Sequence, residues 1–159
     1  ESKCLYLITR QQPIAGDLRM ISADLKVVTD IERIGDQTAD IAELLLRLKG
    51  CDLDAYSRHI TGMLQVSKEI VHDAVHAFVT RNSDAANEVI RHDDVVDSLF
   101  AKVKDDLVYM LQEGVDNIDA CVDVLMIAKY LERIGDHAVN IAEWEIFQES
   151  GSIKDIRLM

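Results

Sequence analysis

The sequence contains few of the residues that interrupt helices or favour strands. One proline and seven glycines occur in 159 residues, and aromatic residues make up 5% of the chain. No long segment alternates between apolar and polar residues, which is the pattern of a half-buried strand. Because 48% of the residues are hydrophobic and 29% are charged, the composition favours an all-α protein with a sizeable core.

Long apolar runs, cysteines and basic residues are also scarce. No run of 18 apolar residues occurs, so the sequence predicts no membrane-spanning helix. Cys4, Cys51 and Cys121 lack metal-site spacing, and we interpret them as reduced thiols of a cytoplasmic protein. The net charge of −12 argues against nucleic acid and anionic lipid as partners. It suits a cation or a basic protein partner, although solubility alone would also explain it.

One segment occurs twice in the chain. Residues 25–43 and 125–143 lie 100 residues apart without a gap, and nine of their nineteen positions are identical. The identical positions include the run Glu-Arg-Ile-Gly-Asp, at 32–36 and again at 132–136. Repetition at a fixed offset indicates two copies of one structural unit.

Each copy has the spacing of a helix with an apolar side and an acidic side, at about 100° per residue. The apolar sides are Val27, Ile31, Ile34, Ile41 and Leu45, and Ile127, Leu131, Ile134 and Ile141. The opposite sides, named here the first and second acidic stripes, are Glu32, Asp36, Asp40 and Glu43, and Glu132, Asp136, Asn140 and Glu143. Gly35 and Gly135 lie within the helices, where glycine costs about 1 kcal/mol, so we expect a neighbouring helix or a ligand close to the backbone.

The acidic stripes are candidate metal sites because residues four apart on a helix can meet a common ion. Oxygen ligands suit Mg²⁺ and Ca²⁺, with Fe and Zn as alternatives, and binding should weaken as the pH falls toward about 4. A solvated helix face is the other interpretation. Asp94 and Asp97 could approach from a neighbouring helix, and the pair His72 and His76 is a weaker candidate. The predicted metal ligands are Glu32, Asp36, Asp40, Glu132, Asp136 and Asn140.

The helical pattern predicts a helix ending near residue 10, then helices at 15–49, 53–80, 83–112 and 117–148. Ser83 or Asp84 is expected to cap the fourth of these helices. The predicted core positions are Ile60, Leu64, Ile70, Ala74 and Phe78 in the third helix, and Val89, Val96, Leu99, Val103, Leu107 and Met110 in the fourth.

These helices divide the chain into unequal parts. Residues 51–149 form one complete three-helix unit, in agreement with the offset of the repeat. Residues 1–50 form the end of an earlier unit, and residues 150–159 form a tail. On this interpretation about 50 residues of the earlier unit are absent, and the chain is a fragment of a protein of about 210 residues.

The run Arg-Gln-Gln-Pro-Ile-Ala-Gly-Asp-Leu-Arg at 10–19, followed by residues 29–36, resembles the first repeat signature of the PhoU family, and residues 130–143 resemble the second. The resemblance implies two three-helix bundles side by side, here with the first bundle incomplete. It also implies metal clusters in some members on a Glu/Asp-x-x-x-Asp motif, which falls on Glu32 and Asp36 and on Glu132 and Asp136.

The function that this resemblance implies is regulation of phosphate uptake and of the phosphate-starvation response. The chain would act as a cytoplasmic adaptor, peripheral to the inner membrane, between a phosphate ABC transporter ATPase and a sensor histidine kinase. A PhoU-related metal-binding domain serving a sodium–phosphate symporter is the alternative. A di-metal bundle enzyme is a weak third, because the Glu-x-x-His motif of such sites is missing. We also expect a homodimer, since the apolar side of helix 15–49 would otherwise be exposed.

Overall fold

The computed structural model describes residues 1–152 of the protein. Five α-helices make up almost all of this part of the chain, and no strand occurs between residues 1 and 152, so the predicted all-α class is confirmed. A short 3-10 helix, Leu53–Ala55, joins the second helix to the third. The α-helices are α1 (Ser2–Gln11), α2 (Ala15–Arg47), α3 (Ile60–Thr80), α4 (Ser83–Glu113) and α5 (Ile118–Ser150).

Asparagine caps and glycine stops set the ends of α4 and α5. The side chains of Asn82 and Asn117 accept hydrogen bonds of 3.0 Å from the amides of Ala85 and Ala120. Asn82 therefore caps α4, and the prediction of Ser83 or Asp84 is wrong by one or two residues. Gly114 and Gly151 end the two helices with φ of 88° and 73°, which glycine adopts without strain.

The start of α3 differs most from its predicted position. The predicted helix at 53–80 begins only at Ile60, because the Asp52 carboxylate accepts a 3.1 Å hydrogen bond from the amide of Asp54 and starts the 3-10 turn instead. Ser57 is buried in the following loop and donates a 2.8 Å hydrogen bond to Asp106 of α4. At the other end, α5 continues to Ser150, and the predicted tail beyond residue 152 lies outside the described residues.

Helices α3, α4 and α5 form a bundle, and α5 also packs against α2. The predicted α4 positions Val89, Val96, Val103 and Leu107 are all buried, as is Ile60 of α3. The prediction of Leu64 as a core position is wrong, because this residue is 54% exposed. The neighbouring Met63 is buried instead, since one residue rotates a helix by about 100°.

The buried face of α2 is rotated from the predicted apolar side. Val27 and Ile41 are buried against α5 as expected, but Ile31 and Leu45 are 46% and 42% exposed. Polar residues occupy part of the contact, because Asp30 and Gln37 are buried. Near the end of α2, the guanidinium of Arg47 donates hydrogen bonds of 3.1 and 2.5 Å to the carboxylate of Asp123 on α5.

The second copy of the repeat therefore buries more of its surface than the first. The residues of α5 that correspond to the exposed positions of α2 are covered by α3 and α4. We call Val28, Ile31, Leu45 and Leu46 the exposed apolar face of α2. None of the helices in residues 1–152 is both long enough and apolar enough to cross a membrane.

Candidate functional site

Helix α4 packs closely on α5 at Gly135, inside the second copy of the repeat. A Cβ atom at this buried position would lie 2.9 Å from Oδ1 of Asp93 and 3.4 Å from Cγ1 of Val96. The first distance is shorter than real Cβ contacts allow, so the glycine permits the approach. The expectation of a close neighbour is confirmed here, and the neighbour is a helix.

Four carboxylates surround this contact, two from α4 and two from α5. We call Asp93, Asp97, Glu132 and Asp136 the acidic cluster. Burial raises the pKa of Asp93 to about 6, and repulsion from Asp97, Asp136, Asp94 and Glu132 adds to the shift. Partial burial and the charge of Glu132 also raise the pKa of Asp136. Both shifts therefore combine burial with repulsion between neighbouring carboxylates.

A lysine supplies positive charge beside the cluster. Nζ of Lys129 forms a short ion pair with Oε2 of Glu132, one turn further along α5. The same atom lies 5.3 Å from the centroid of the Phe100 ring on α4, within the range of a cation–π contact. The charge of Lys129 lowers the pKa of Asp136, against the effects of burial and Glu132.

The structure brings together only some of the residues that the sequence singles out. Glu132, Asp136 and the neighbouring-helix candidate Asp97 lie in one cluster. Asp93 was missed. A signal for it exists in the sequence, because Asp93 and Asp97 have the same four-residue spacing as Glu132 and Asp136.

The side chain of Asn140, one of the predicted metal ligands, contacts α2. Its Nδ2 donates a 3.1 Å hydrogen bond to Oδ1 of Asp30 on α2. Nδ1 of His137 donates to the same oxygen at 2.8 Å. Asp30 is only 9% exposed, so these three residues form a polar node inside the α2–α5 contact. Sequence reasoning missed Asp30 and His137, since neither residue belongs to an acidic stripe.

The acidic cluster fits a hard cation in its chemistry. Its donors are all carboxylate oxygens, which Mg²⁺, Ca²⁺ and Mn²⁺ prefer, and a cation would relieve their repulsion. In residues 1–152, no three His, Cys, Asp or Glu side chains are already grouped so that they could hold a metal ion. A cation would therefore require the carboxylates to turn toward one another.

The weaker histidine candidates lie on another surface. The rings of His72 and His76 stack with centroids 6.3 Å apart, and both residues are exposed on α3. His76 also lines a groove of ≈ 540 Å³ between α3 and α4, together with His92. Asp73, Glu88 and Arg91 share this groove, so its rim carries both signs of charge.

Comparison with known families identifies this architecture. The family model described as "PhoU domain" matches residues 1–45 and 60–144, which is most of the chain and includes both copies of the repeat. The chain belongs to the PhoU family.

Individual PhoU relatives agree with this assignment. The chain is 39% identical to the "Phosphate-specific transport system accessory protein PhoU homolog" of Clostridium acetobutylicum, over 98% of this chain and 72% of that protein. It is similar in structure to PhoU from Pseudomonas aeruginosa, with a TM-score of 0.85, 33% identity and coverage of 95% and 73% of the two chains. It is also similar in structure to the phosphate transport system regulatory protein PhoU from Streptococcus pneumoniae, with a TM-score of 0.87 and 25% identity. The match covers 97% of this chain and 72% of that chain.

The first PhoU repeat has no counterpart of the acidic cluster in the described residues. Glu32, Asp36 and Asp40 are exposed on α2, and no described helix brings further carboxylates to them. Asp36 pairs only with Arg33 of its own helix, at 3.6 Å. Apart from Gly35 itself, its chain neighbours and the adjacent backbone of α2, no heavy atom of the described residues lies within 4 Å of a Cβ built on Gly35. The two copies of the motif therefore have the same sequence but different surroundings.

Proposed function

We propose that this chain is an accessory and regulatory protein of phosphate transport. The observation that carries the proposal is the match of the PhoU domain to both copies of the repeat. The names of the Clostridium and Streptococcus relatives, an accessory protein and a regulatory protein of phosphate transport, support the same role. The chain would act by binding other proteins rather than by catalysing a reaction.

The partners of this adaptor would be a phosphate ABC transporter ATPase and a sensor histidine kinase, in the cytoplasm at the inner membrane. The net charge of −12 supports binding to other proteins. The charge would favour basic surfaces on those partners and would exclude nucleic acid. The chain would reach the membrane only through the proteins that it binds.

A complementation experiment tests this role. The chain is expressed in a bacterium that lacks its own PhoU protein, and a phosphate-starvation reporter is measured at high phosphate. We expect the reporter activity to fall toward the wild-type level, and the tagged chain to copurify with the ATPase or the kinase. A folded, expressed chain that leaves the reporter fully induced would contradict the proposal.

The acidic cluster would bind a hard divalent or trivalent cation. Asp93, Asp97, Glu132 and Asp136 would hold it, and the exposed carboxylates of the first stripe would bind more weakly. Burial and the neighbouring carboxylates together raise the pKa of Asp93 to about 6, and this shift supports the assignment. Protons would then compete with the cation below about pH 6, above the value near 4 expected from ordinary carboxylates.

Metal analysis of the untagged protein tests this assignment. The double variant Glu132→Gln, Asp136→Asn keeps the side-chain shapes and removes two charges. We expect it to lose bound cation while its helix content stays unchanged. The matched variant Glu32→Gln, Asp36→Asn carries the same two changes in the first copy. It should lose much less bound cation. Equal cation content in the wild type and both variants would identify the cluster as a solvated surface.

We also propose that the chain forms a homodimer through the exposed apolar face of α2. Burying apolar surface in a symmetric contact releases about 25 cal/mol per Å², and a twofold contact lets one helix cover its own copy. This proposal does not depend on cation binding.

A further inference from the structure

Lys129 is held at the acidic cluster from two helices. Its ammonium group contacts Glu132 on its own helix and lies over the ring of Phe100 on α4. The Glu132 side chain is only 15% exposed, although that of Lys129 is 45% exposed. An ordinary i, i+3 pair on a helix surface joins two exposed side chains and contributes little. This pair instead has a largely buried acid and an aromatic ring behind the cation.

Most of the charged groups around Lys129 are carboxylates. Asp93, Asp97 and Asp136 lie near Glu132, and the ammonium of Lys129 is the positive group whose effect on Asp136 is the largest. The first copy of the repeat has Thr29 at the corresponding position, and its hydroxyl donates a 3.1 Å hydrogen bond to the carbonyl of Leu25. A cationic side chain at this position is therefore a property of the second copy alone.

We infer that Lys129 is the built-in counter-ion of the acidic cluster, and that a divalent cation binding there must displace its ammonium group from Glu132. This inference rests on the proposed cation site and names the residue that sets its affinity. Lys129 compensates the cluster when the cation is absent, because crowded carboxylates repel one another without a counter-charge. It also competes with the cation, because Glu132 cannot pair fully with both.

Titration with Mn²⁺ at pH 7.5 tests the competition. Lys129→Met removes the charge and keeps most of the side chain, so this variant should bind Mn²⁺ about fivefold more tightly, the factor that a partly exposed ion pair contributes. Lys129→Arg keeps the charge and should stay within about twofold of the wild type. Lys68→Met is the control, because it removes an exposed lysine of α3 and changes the net charge equally.

Thermal unfolding in chelator tests the counter-ion role without metal. Lys129→Met should melt at a lower temperature than the wild type and Lys68→Met, and added Mn²⁺ should raise its melting temperature more than theirs. Circular dichroism confirms that each variant is helical before titration. Lys129→Gln replaces Lys129→Met if the latter does not fold.

The outcomes separate this inference from the cation site itself. If the wild type binds Mn²⁺ and Lys129→Met binds it equally, Lys129 is not a competitor and only the inference is overturned. If neither protein binds Mn²⁺, the proposed cation site fails and the inference fails with it. Tight binding by Lys129→Met with weak or undetectable binding by the wild type would support both.

Discussion

Asp93 makes the stability of the metal-free protein depend on pH. Its pKa is about 6 in the folded protein, above the ordinary value of 3.8, because of burial and the neighbouring carboxylates. The folded state therefore holds the proton more tightly than the unfolded state. This contribution to stability is fully present below about pH 4 and is lost as the pH rises through about 6.

Replacing Asp93 with Asn should remove this dependence. One pKa unit corresponds to about 1.4 kcal/mol, and after allowance for solvent screening we expect Asp93→Asn to raise the free energy of unfolding by about 1–2 kcal/mol at pH 7.5. At pH 4 the gain should vanish. Urea unfolding in chelator at both pH values measures the difference. A loss of stability of equal size at both values would show that Asp93 stabilises the fold through other contacts.

Asp30 is a buried carboxylate, and one of its oxygens accepts two hydrogen bonds from α5. It accepts hydrogen bonds from His137 and Asn140, and its removal leaves both donors without this acceptor. We expect Asp30→Ala to lower the free energy of unfolding by about 1–3 kcal/mol. Asp40→Ala is the matched control, since Asp40 is an exposed aspartate of the same helix and should change stability by about 0.5 kcal/mol at most. Chemical unfolding of both variants at pH 7.5 provides the comparison, and equal effects would contradict the role of the node.

At the scale of the helix, the repeat offers a matched pair of glycines. Gly35 has open space where a Cβ would be, so Gly35→Ala should stabilise α2 by about 0.5–1 kcal/mol through helix propensity alone. Gly135→Ala gains the same propensity, but its Cβ would meet Asp93 at 2.9 Å and Val96 at 3.4 Å. We expect Gly135→Ala to be less stable than Gly35→Ala by about 1 kcal/mol, because the Asp93 side chain must leave its position against α5.

Thermal and chemical unfolding of the two alanine variants measure this difference. The comparison is internally controlled, since both substitutions are the same chemical change at the same place in one repeat. If the two variants are equally stabilised, Asp93 rotates away freely and the approach of α4 at Gly135 imposes no constraint.

The helices themselves follow closely from local sequence signals. The predicted helix at 15–49 is found as Ala15–Arg47, and that at 117–148 as Ile118–Ser150. Periodicity and asparagine caps act within a few residues, so they can be read without knowledge of the fold. The late start of α3 could not be read in this way, because the loop before it is held partly by the contact of Ser57 with Asp106, 49 residues away.

At the scale of the whole molecule, the exposed apolar face of α2 predicts self-association. Introducing charge with Ile31→Lys and Leu45→Lys should shift the chain toward the monomer, because a charged side chain opposes burial in an apolar contact. The control variant carries Leu64→Lys and Val79→Lys on α3, where the side chains are 54% and 73% exposed.

Sedimentation equilibrium over a range of concentrations measures the association of these proteins. We expect the wild type and the α3 control to dimerise and the α2 variant to remain largely monomeric. A wild type that stays monomeric at high concentration would refute the predicted homodimer without affecting the cation site.

The amino-acid sequence alone predicted the all-α class, the long helices, the repeat and the acidic residues at Glu132 and Asp136. These features depend on local propensity and on spacing along one helix. The PhoU resemblance also came from residues that are contiguous in the chain, and the family match confirmed it.

The faces that these helices bury depend on how the helices pack together. The same motif is exposed at Glu32 and Asp36 but lies beside Asp93 and Asp97 at Glu132 and Asp136, because α4 packs on α5, whereas α2 packs mainly against α5 through its other side. Likewise, Asp30 and Lys129 acquire their roles from partners that another helix supplies. The helical period of a sequence predicts which residues share a face. The helix that packs on that face determines its charge environment and its chemistry.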